Sequence, residues 1–371
     1  MILRNNESNE MCLQESRKML QPMLLRPAKV LIVEDDCNQS QLESDILDLP
    51  EYQVTIVETI EDAFDILLKI QFDVVLLDFH LPDRNGDDLC RWIRLQSDLS
   101  LLPIIIVTGS DSFSTLPICM DAGATDFIRK PFHPIELISR VNSAIRFKRI
   151  TENLDSAQSL LFAIARLVEA KDEITGDHCS RLAHGCVVFG KALGLDDESL
   201  VALERGGILH DIGKLGIPDH ILLKPGKLTK DEWDVMKQHV AIGEKLCSGL
   251  LTMKPVLPII HFHHERWDGG GYLYGLKGEE IPLLARVFQL VDIYDALAND
   301  RPYKKALANG KIIEIFKQEV AKGWRDPELT AAFIHIIQDS PKELELPADY
   351  QDKSVAVFDD IVNTGVLQAL G

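Results

Sequence analysis

Short β-branched runs fill the first part of this chain and then stop. KVLIV at 29–33, YQVTIVE at 52–58, FDVVLLD at 72–78, PIIIVTG at 103–109 and the weaker ATDFI at 124–128 alternate with helix-period segments up to Arg149. Nearly continuous apolar runs belong to strands covered on both faces, which means a parallel sheet between helices. Five βα units in about 120 residues predict a small doubly wound domain, whose ligands sit at the carboxyl ends of its strands. Beyond Arg149 no strand-like run survives, and helix-period segments predict an all-α second domain. The fold class is therefore multi-domain, an α/β doubly wound five-stranded parallel sheet followed by an all-α unit. The boundaries read as an N-terminal appendage over 1–27, a first domain over 28–148, a linker helix over 149–168, a second domain over 160–345 that shares part of that helix, and a C-terminal tail over 346–371.

Charge narrows the function. The chain of 371 residues has 58 acidic against 39 basic side chains, a net charge of -19 that repels a nucleic-acid backbone. Direct nucleic-acid binding is not expected, although a local basic site can still hold a phosphorylated ligand. Seven cysteines without a C-x-x-C pair read as reduced thiols rather than a disulfide frame. No stretch approaches the roughly 18–20 apolar residues of a membrane span, and the polar start lacks signal-peptide order. The expectation is a cytoplasmic protein with no membrane partner. Phe147, Ile150, Leu154, Ala157, Leu161, Ile164 and Val168 recur at alternating steps of three and four. That period permits a homodimeric coiled-coil seam, or equally one amphipathic helix packed on the second domain.

In the first domain Glu34 and Asp35 end the first strand and Asp78 the third, so three carboxylates converge on one sheet edge. They repel unless a cation neutralises them, and hard oxygen donors favour Mg²⁺. Thr108 ends the fourth strand and Lys130 follows the fifth. A carboxylate flanked by Mg²⁺, a hydroxyl and an ammonium suits nucleophilic attack on phosphorus. A lone strand-end Asp is more often a turn former; five such groups at one edge are not.

VEDD (33–36), VLLDFHLPDRNG (75–86), VTGS (107–110) and FIRKPF (127–132) resemble the receiver domain of bacterial response regulators. The resemblance implies that Asp78 accepts a phosphoryl group from a histidine kinase, with Asp35 and Asp78 binding Mg²⁺ and Glu34 supporting them. It gives Thr108 and Lys130 contacts to the phosphoryl group, Phe127 the position of an aromatic switch, and Lys130–Pro131 a cis bond. Gly109 departs from the alanine common there.

Eight of the 11 histidines lie between 178 and 264. Imidazole with carboxylate suits Mn, Fe, Zn or Ni. His210-Asp211 and His263-His264 are the informative pairs: helical neighbours differ by about 100°, so adjacent residues reach one cluster only from its rim or from a helix end. Asp211 beside a histidine ligand can bridge two cations, the arrangement that clamps both oxygens in phosphodiester hydrolysis. His184, His220, His261 and His335 read as hydrogen-bonded core residues, and Cys179 and Cys186 as buried thiols.

TGDHCSRLA (175–183), ILHDIGKLGIPDHIL (208–222), MKQHVAIG (236–243), HHERWDGGGYLYGLKGEEIPLLAR (263–286) and VDIYDALANDRPYKKA (291–306) look like the HD-GYP branch of the HD phosphohydrolases. The resemblance implies hydrolysis of cyclic di-GMP to linear pGpG, with GMP as a further product. It implies metal ligands at His178, His210, Asp211, His239, His263, His264 and Asp292, holding iron or manganese, with nickel or zinc as other fits. Catalysis would fall to Asp211 and Lys214; Lys214, Arg301, Lys304, Gly271 and Tyr272 would bind substrate. Two departures stand out. Leu273 replaces the usual proline of the Gly-Tyr-Pro tripeptide, which predicts a freer loop. Ile174 replaces a glutamate of trinuclear members, with Glu173 one residue off, which predicts two metals. The combined reading is a phosphorylation-controlled cyclic di-GMP phosphodiesterase. Its alternatives are a cyclic di-GMP sensor or docking module for GGDEF-domain proteins with little hydrolysis, and a phosphohydrolase for another cyclic dinucleotide.

Overall fold

In a computed structural model of the chain, the described residues are 26–109, 116–171, 178–300, 305–348 and 350. They divide into two compact units between Asp155 and Ser156. The first contains β1 (Ala28–Val33), α1 (Cys37–Ile46), β2 (Tyr52–Val57), α2 (Ile60–Leu67), β3 (Val74–Asp78), α3 (Gly86–Leu95), β4 (Ile104–Thr108), α4 (Leu116–Asp121) and β5 (Asp126–Arg129). All four pairings are parallel and the strand order is β2-β1-β3-β4-β5.

The apolar runs are continuous because both faces are covered. Successive strand residues point to opposite sides. Leu31, Val33, Val75, Leu77, Ile104 and Ile106 pack with Ile60, Leu89 and Ile93. Val30, Ile32, Val74, Leu76, Ile105 and Val107 pack with Leu137, Val141 and Ile145. Each such side chain, taken fully out of water, contributes about 1.5–3 kcal/mol. The strand order reverses between β1 and β3, and the crevice that forms at such a reversal lies off the strands' carboxyl ends. Glu34 and Asp78 flank it.

Helix α5 (Pro134–Lys171) carries the chain from the first unit into the second. The alternating apolar spacing falls entirely within it, and its two halves have different fates. Phe147, Ile150 and Leu154 are exposed, whereas Leu161 and Ile164 join a core around Phe162, Ala165, Leu209 and Ile260, and Val168 is buried. The second half of the stripe therefore belongs to ordinary intrachain packing.

The second unit continues with α6 (His178–Ala192), α7 (Asp197–Leu209), α8 (Asp219–Leu222), α9 (Lys230–Met236), α10 (His239–Cys247), α11 (Leu257–Phe262), α12 (Leu283–Ala298), α13 (Asn309–Ala321) and α14 (Pro327–Asp339). Phe189, Phe288, Phe316 and Phe333 fill its main core, with Phe189 and Phe333 centroids 4.7 Å apart. Helix starts are set by side-chain caps: Asp196 accepts from Ser199 N at α7, and Thr229 with Glu232 forms a capping box at α9. Among the described residues no helix is long and apolar enough to cross a membrane.

Candidate functional site

The carboxylates of the first unit meet an ammonium. Lys130 Nζ lies 2.5 Å from Glu34 Oε2 and 2.6 Å from Asp78 Oδ2. The Asp36 amide donates to Glu34 Oε1 at 3.2 Å, and the His80 amide to Asp78 Oδ1 at 3.0 Å. Burial raises the Glu34 carboxyl above its usual range, more than the Lys130 bond lowers it. For Lys130 burial works downward, and the bonds to Asp78 and Glu34 outweigh it and hold the ammonium above its ordinary value. Asp35 is exposed beside them, and Thr108 is buried with its Oγ1 unpartnered. Glu34, Asp35 and Asp78 are the oxygen set that suits Mg²⁺. Phe127 packs on the core with the Arg129 guanidinium 5.9 Å from its ring, and Lys130–Pro131 is cis.

In the second unit the expected ligands come from helix ends. His178 opens α6 and His239 opens α10; His210 caps the C-terminus of α7, with Asp211 next; His263 caps α11, with His264 next. Asp292 alone sits inside a helix, α12. The two adjacent pairs converge because each leaves its helix there, as the 100° argument required.

All seven residues form one connected cluster. Asp211 divides it. Its Oδ2 lies 3.3 Å from His210 Nε2, and its Oδ1 lies 3.3 Å from His239 Nε2 and 3.7 Å from His263 Nε2. On the first side the His178 and His210 rings are 5.8 Å apart, and His178 Nε2 is 4.0 Å from Asp292 Oδ1. On the second, one ligand atom each from Asp211, His239, His263 and His264 lies within 4.8 Å of the others.

The protons of these imidazoles are already assigned. His210 Nδ1 faces Gly207 O at 3.2 Å, His239 Nδ1 faces Met236 O at 2.7 Å, and His263 Nδ1 faces Ile260 O at 3.0 Å. A carbonyl only accepts, so each Nδ1 carries the hydrogen and each Nε2 presents a lone pair. Asp211 Oδ1, His239 Nε2 and His263 Nε2 are buried without any hydrogen-bond partner. Acceptors turned toward one another in a buried site are costly unless a cation sits among them. The donor set therefore fits a divalent transition ion. Burial lowers His239 to about 4 and His264 well below its ordinary value, keeping both neutral. Burial works to raise Asp211, yet Lys214, its Nζ 3.0 Å from Oδ2, holds the carboxyl well below the usual range.

Supporting residues that the sequence reading missed fix this arrangement. Asp295 Oδ2 lies 2.6 Å from His178 Nδ1, and Arg181 Nε and Asn299 Nδ2 hold its Oδ1 at 2.5 and 2.8 Å. Its signal was the three-residue step from Asp292, which puts both carboxylates on one helix face. Glu265, fully buried, accepts from the amides of Tyr274 (2.7 Å), Gly275 (3.2 Å) and Leu276 (3.1 Å). The loop expected to be freer at Leu273 is thus pinned from beneath, and its Tyr272–Leu273 peptide is cis. Two glycines are sterically required. A Cβ on Gly213 would lie 1.8 Å from His239 O, and one on Gly271 would lie 2.4 Å from Arg266 N. Gly271 therefore lets the loop close over the cluster, where Tyr272 stacks on His264 at 4.6 Å.

Arg301, Lys304, Glu173 and Ile174 lie outside the described residues. Of the four histidines read as core, His184 and His261 are half-buried and bonded, to Glu343 O at 2.8 Å and Tyr274 Oη at 2.5 Å. His220 and His335 instead lie on the surface, because their helix positions face solvent; His335 pairs with Asp339 at 2.8 Å. Cys179 and Cys186 are buried, and burial raises both thiols well above their ordinary value.

Comparison with known proteins agrees with this division. The response regulator receiver domain family matches residues 30–142, and the HD domain family matches residues 163–329. A probable cyclic di-GMP phosphodiesterase of Vibrio cholerae is 33% identical over 84% of this chain and 78% of its own length. The chain belongs to the response regulators that join a receiver domain to an HD domain. A second relative of this HD-domain response regulator is the cyclic di-GMP phosphodiesterase response regulator RpfG of Xanthomonas campestris, 34% identical over 75% of this chain and 79% of its own. A 3'3'-cGAMP-specific phosphodiesterase of Vibrio cholerae is 34% identical over 54% of this chain and 44% of its own.

Proposed function

We propose that this HD-domain response regulator hydrolyses cyclic di-GMP to linear pGpG at a pair of divalent transition ions, under control of phosphorylation at Asp78. The observation that carries the proposal is the division of Asp211, whose Oδ2 faces His210 while its Oδ1 faces His239 and His263. One ion would be held by His178, His210, Asp211 and Asp292, the other by Asp211, His239, His263 and His264. Iron or manganese suits this set first, nickel or zinc next. Such ions lower the pKa of a coordinated water and offset charge on a phosphoryl oxygen. The protein's own part is to keep the Nε2 lone pairs facing inward, Asp211 ionised, and Lys214 beside it to compensate a phosphate oxygen. Tyr272 lines the approach, with Arg301 and Lys304 as further phosphate or base contacts.

In the receiver, Asp35 and Asp78 would hold Mg²⁺ with Glu34 in support, and Thr108 and Lys130 would meet the phosphoryl group delivered by a cognate histidine kinase. The exposed apolar residues Phe147, Ile150 and Leu154 support a homodimer seam shorter than the full stripe.

The relative named for 3'3'-cGAMP favours a second reading, in which another cyclic dinucleotide is cleaved. Product identification by chromatography, on anaerobically prepared Mn²⁺- or Fe²⁺-loaded protein given each cyclic dinucleotide, tests both. The expected product from cyclic di-GMP is pGpG, with acetyl phosphate altering the wild-type rate and leaving the Asp78→Asn rate unaltered. Tight binding with no product at high enzyme would instead favour a sensor.

A further inference from the structure

Beside the cluster lies a cleft of about 430 Å³, lined among others by His264, Tyr272, Trp233, Arg266, Arg325 and Asp292. Its volume falls within the range of ligand sites, roughly 300–1,000 Å³. Three features suit it to a nucleobase. Rings lead outward from the cluster: His264 stacks on Tyr272 at 4.6 Å, and Trp233 meets Tyr272 edge-on at 6.0 Å and 77°. Trp233 is 46% exposed and lines the cleft, so part of its indole is open to a ligand. Its helix is fixed by the Thr229–Glu232 capping box and by Lys224, which donates to Glu232 at 2.6 Å. The indole therefore stands on a rigid support.

The polar lining sets two oriented guanidinium groups beside the carboxylates of Glu265 and Asp292. Arg325 Nε donates to Glu319 at 2.8 Å, and its Nη1 reaches Gln289 Oε1 at 3.3 Å. Arg266 is tethered to Asp268, its guanidinium lies 4.3 Å from the Trp324 ring centroid, and its buried Nε has no hydrogen-bond partner. Fixed donors beside an aromatic face match guanine, whose O6 and N7 both accept; adenine sets an N6 donor beside N7.

We propose that this cleft is a guanine subsite, in which one base of the substrate stacks on Trp233 while Arg266 and Arg325 donate to its O6/N7 edge. The assignment rests on the cyclic dinucleotide reading and adds what that reading lacks, a reader of the base. The metal cluster sees only phosphate; discrimination between bases falls to residues outside it.

The test uses full-length, Mn²⁺-loaded protein. Cyclic di-GMP quenches tryptophan fluorescence in the wild type, and the quench disappears in Trp233→Leu and Trp233→Phe. Stacking on an aromatic face predicts that Trp233→Leu raises KM for cyclic di-GMP about ten- to hundred-fold with metal content retained. Trp233→Phe recovers most of that loss, as a purely apolar contact would not require. Arg266→Gln narrows the preference for cyclic di-GMP over cyclic di-AMP about ten-fold. Equal KM in Trp233→Leu and wild type, or a quench that survives Trp233→Phe, overturns the subsite and leaves the metal centre standing. Wild-type protein that cleaves bis(p-nitrophenyl) phosphate but neither binds nor cleaves any cyclic dinucleotide overturns the substrate reading and the subsite together.

Discussion

The two units face the same electrostatic difficulty and resolve it differently. In the receiver, Glu34 and Asp78 share the Lys130 ammonium at 2.5 and 2.6 Å. Below them the buried Glu43 carboxyl holds a proton instead, burial lifting it to about 8. In the HD unit Lys214 meets only one face of Asp211, through Oδ2, and leaves Oδ1 among imidazole lone pairs. The first pocket covers part of its carboxylate charge with its own ammonium, which can exchange partners when a phosphoryl group arrives. The second is incomplete as a purely organic structure. An internal cation thus marks a reversible switch, whereas unpartnered acceptors mark a place for a resident ion.

Three experiments test that contrast. The largest effect belongs to Asp211→Ala, which removes the carboxylate both sets of imidazoles share: hydrolysis and retained metal should vanish together, read by product release and elemental analysis. A fully active, metal-replete variant would refute the division. Next, Asp295→Asn keeps shape but weakens the hold on His178 Nδ1, and second-layer losses of this kind typically cost about 10–100-fold in metal affinity. Competition with a chelator measures it; unchanged affinity would make Asp295 a bystander.

The third effect concerns Glu43. Its folded pKa near 8 lies above the ordinary 4.5, so between these values the folded state binds the extra proton and the unfolded state does not. Its stability contribution is whole below pH 4.5 and falls as pH rises through 8. Glu43→Gln should therefore gain on wild type with rising pH, by on the order of 4 kcal/mol at pH 8 and under about 1 kcal/mol at pH 5. Hydrogen exchange of β1 and β3 amides reads this directly, and a pH-independent difference would contradict it.

Much of this was legible from residues alone. Strands covered on both faces betray themselves as unbroken apolar runs, so β1, β3 and β4 were plain. Strand-end carboxylates and the adjacent His210-Asp211 and His263-His264 pairs carried their chemistry in spacing. What stayed hidden depends on contacts between distant elements. Glu265 and Asp295 look like ordinary acidic positions until the loop amides and the His178 ring close on them. Glu43 sits in a helix whose polar composition gives no hint of its burial. The apolar stripe from Phe147 to Val168 has one period but two environments, since periodicity records a helix face and not what covers each part of it.

The decisive property is whether the inward-facing atoms of the HD unit hold cations. Metal-stripped full-length protein should be titrated anaerobically with Mn²⁺ and the bound ions counted by elemental analysis after removal of free metal. Two tightly held ions per chain, displaced by neither Mg²⁺ nor moderate salt, are predicted. A chain that binds no transition ion, or whose His239→Ala and His263→Ala variants bind as many as the wild type, would contradict it.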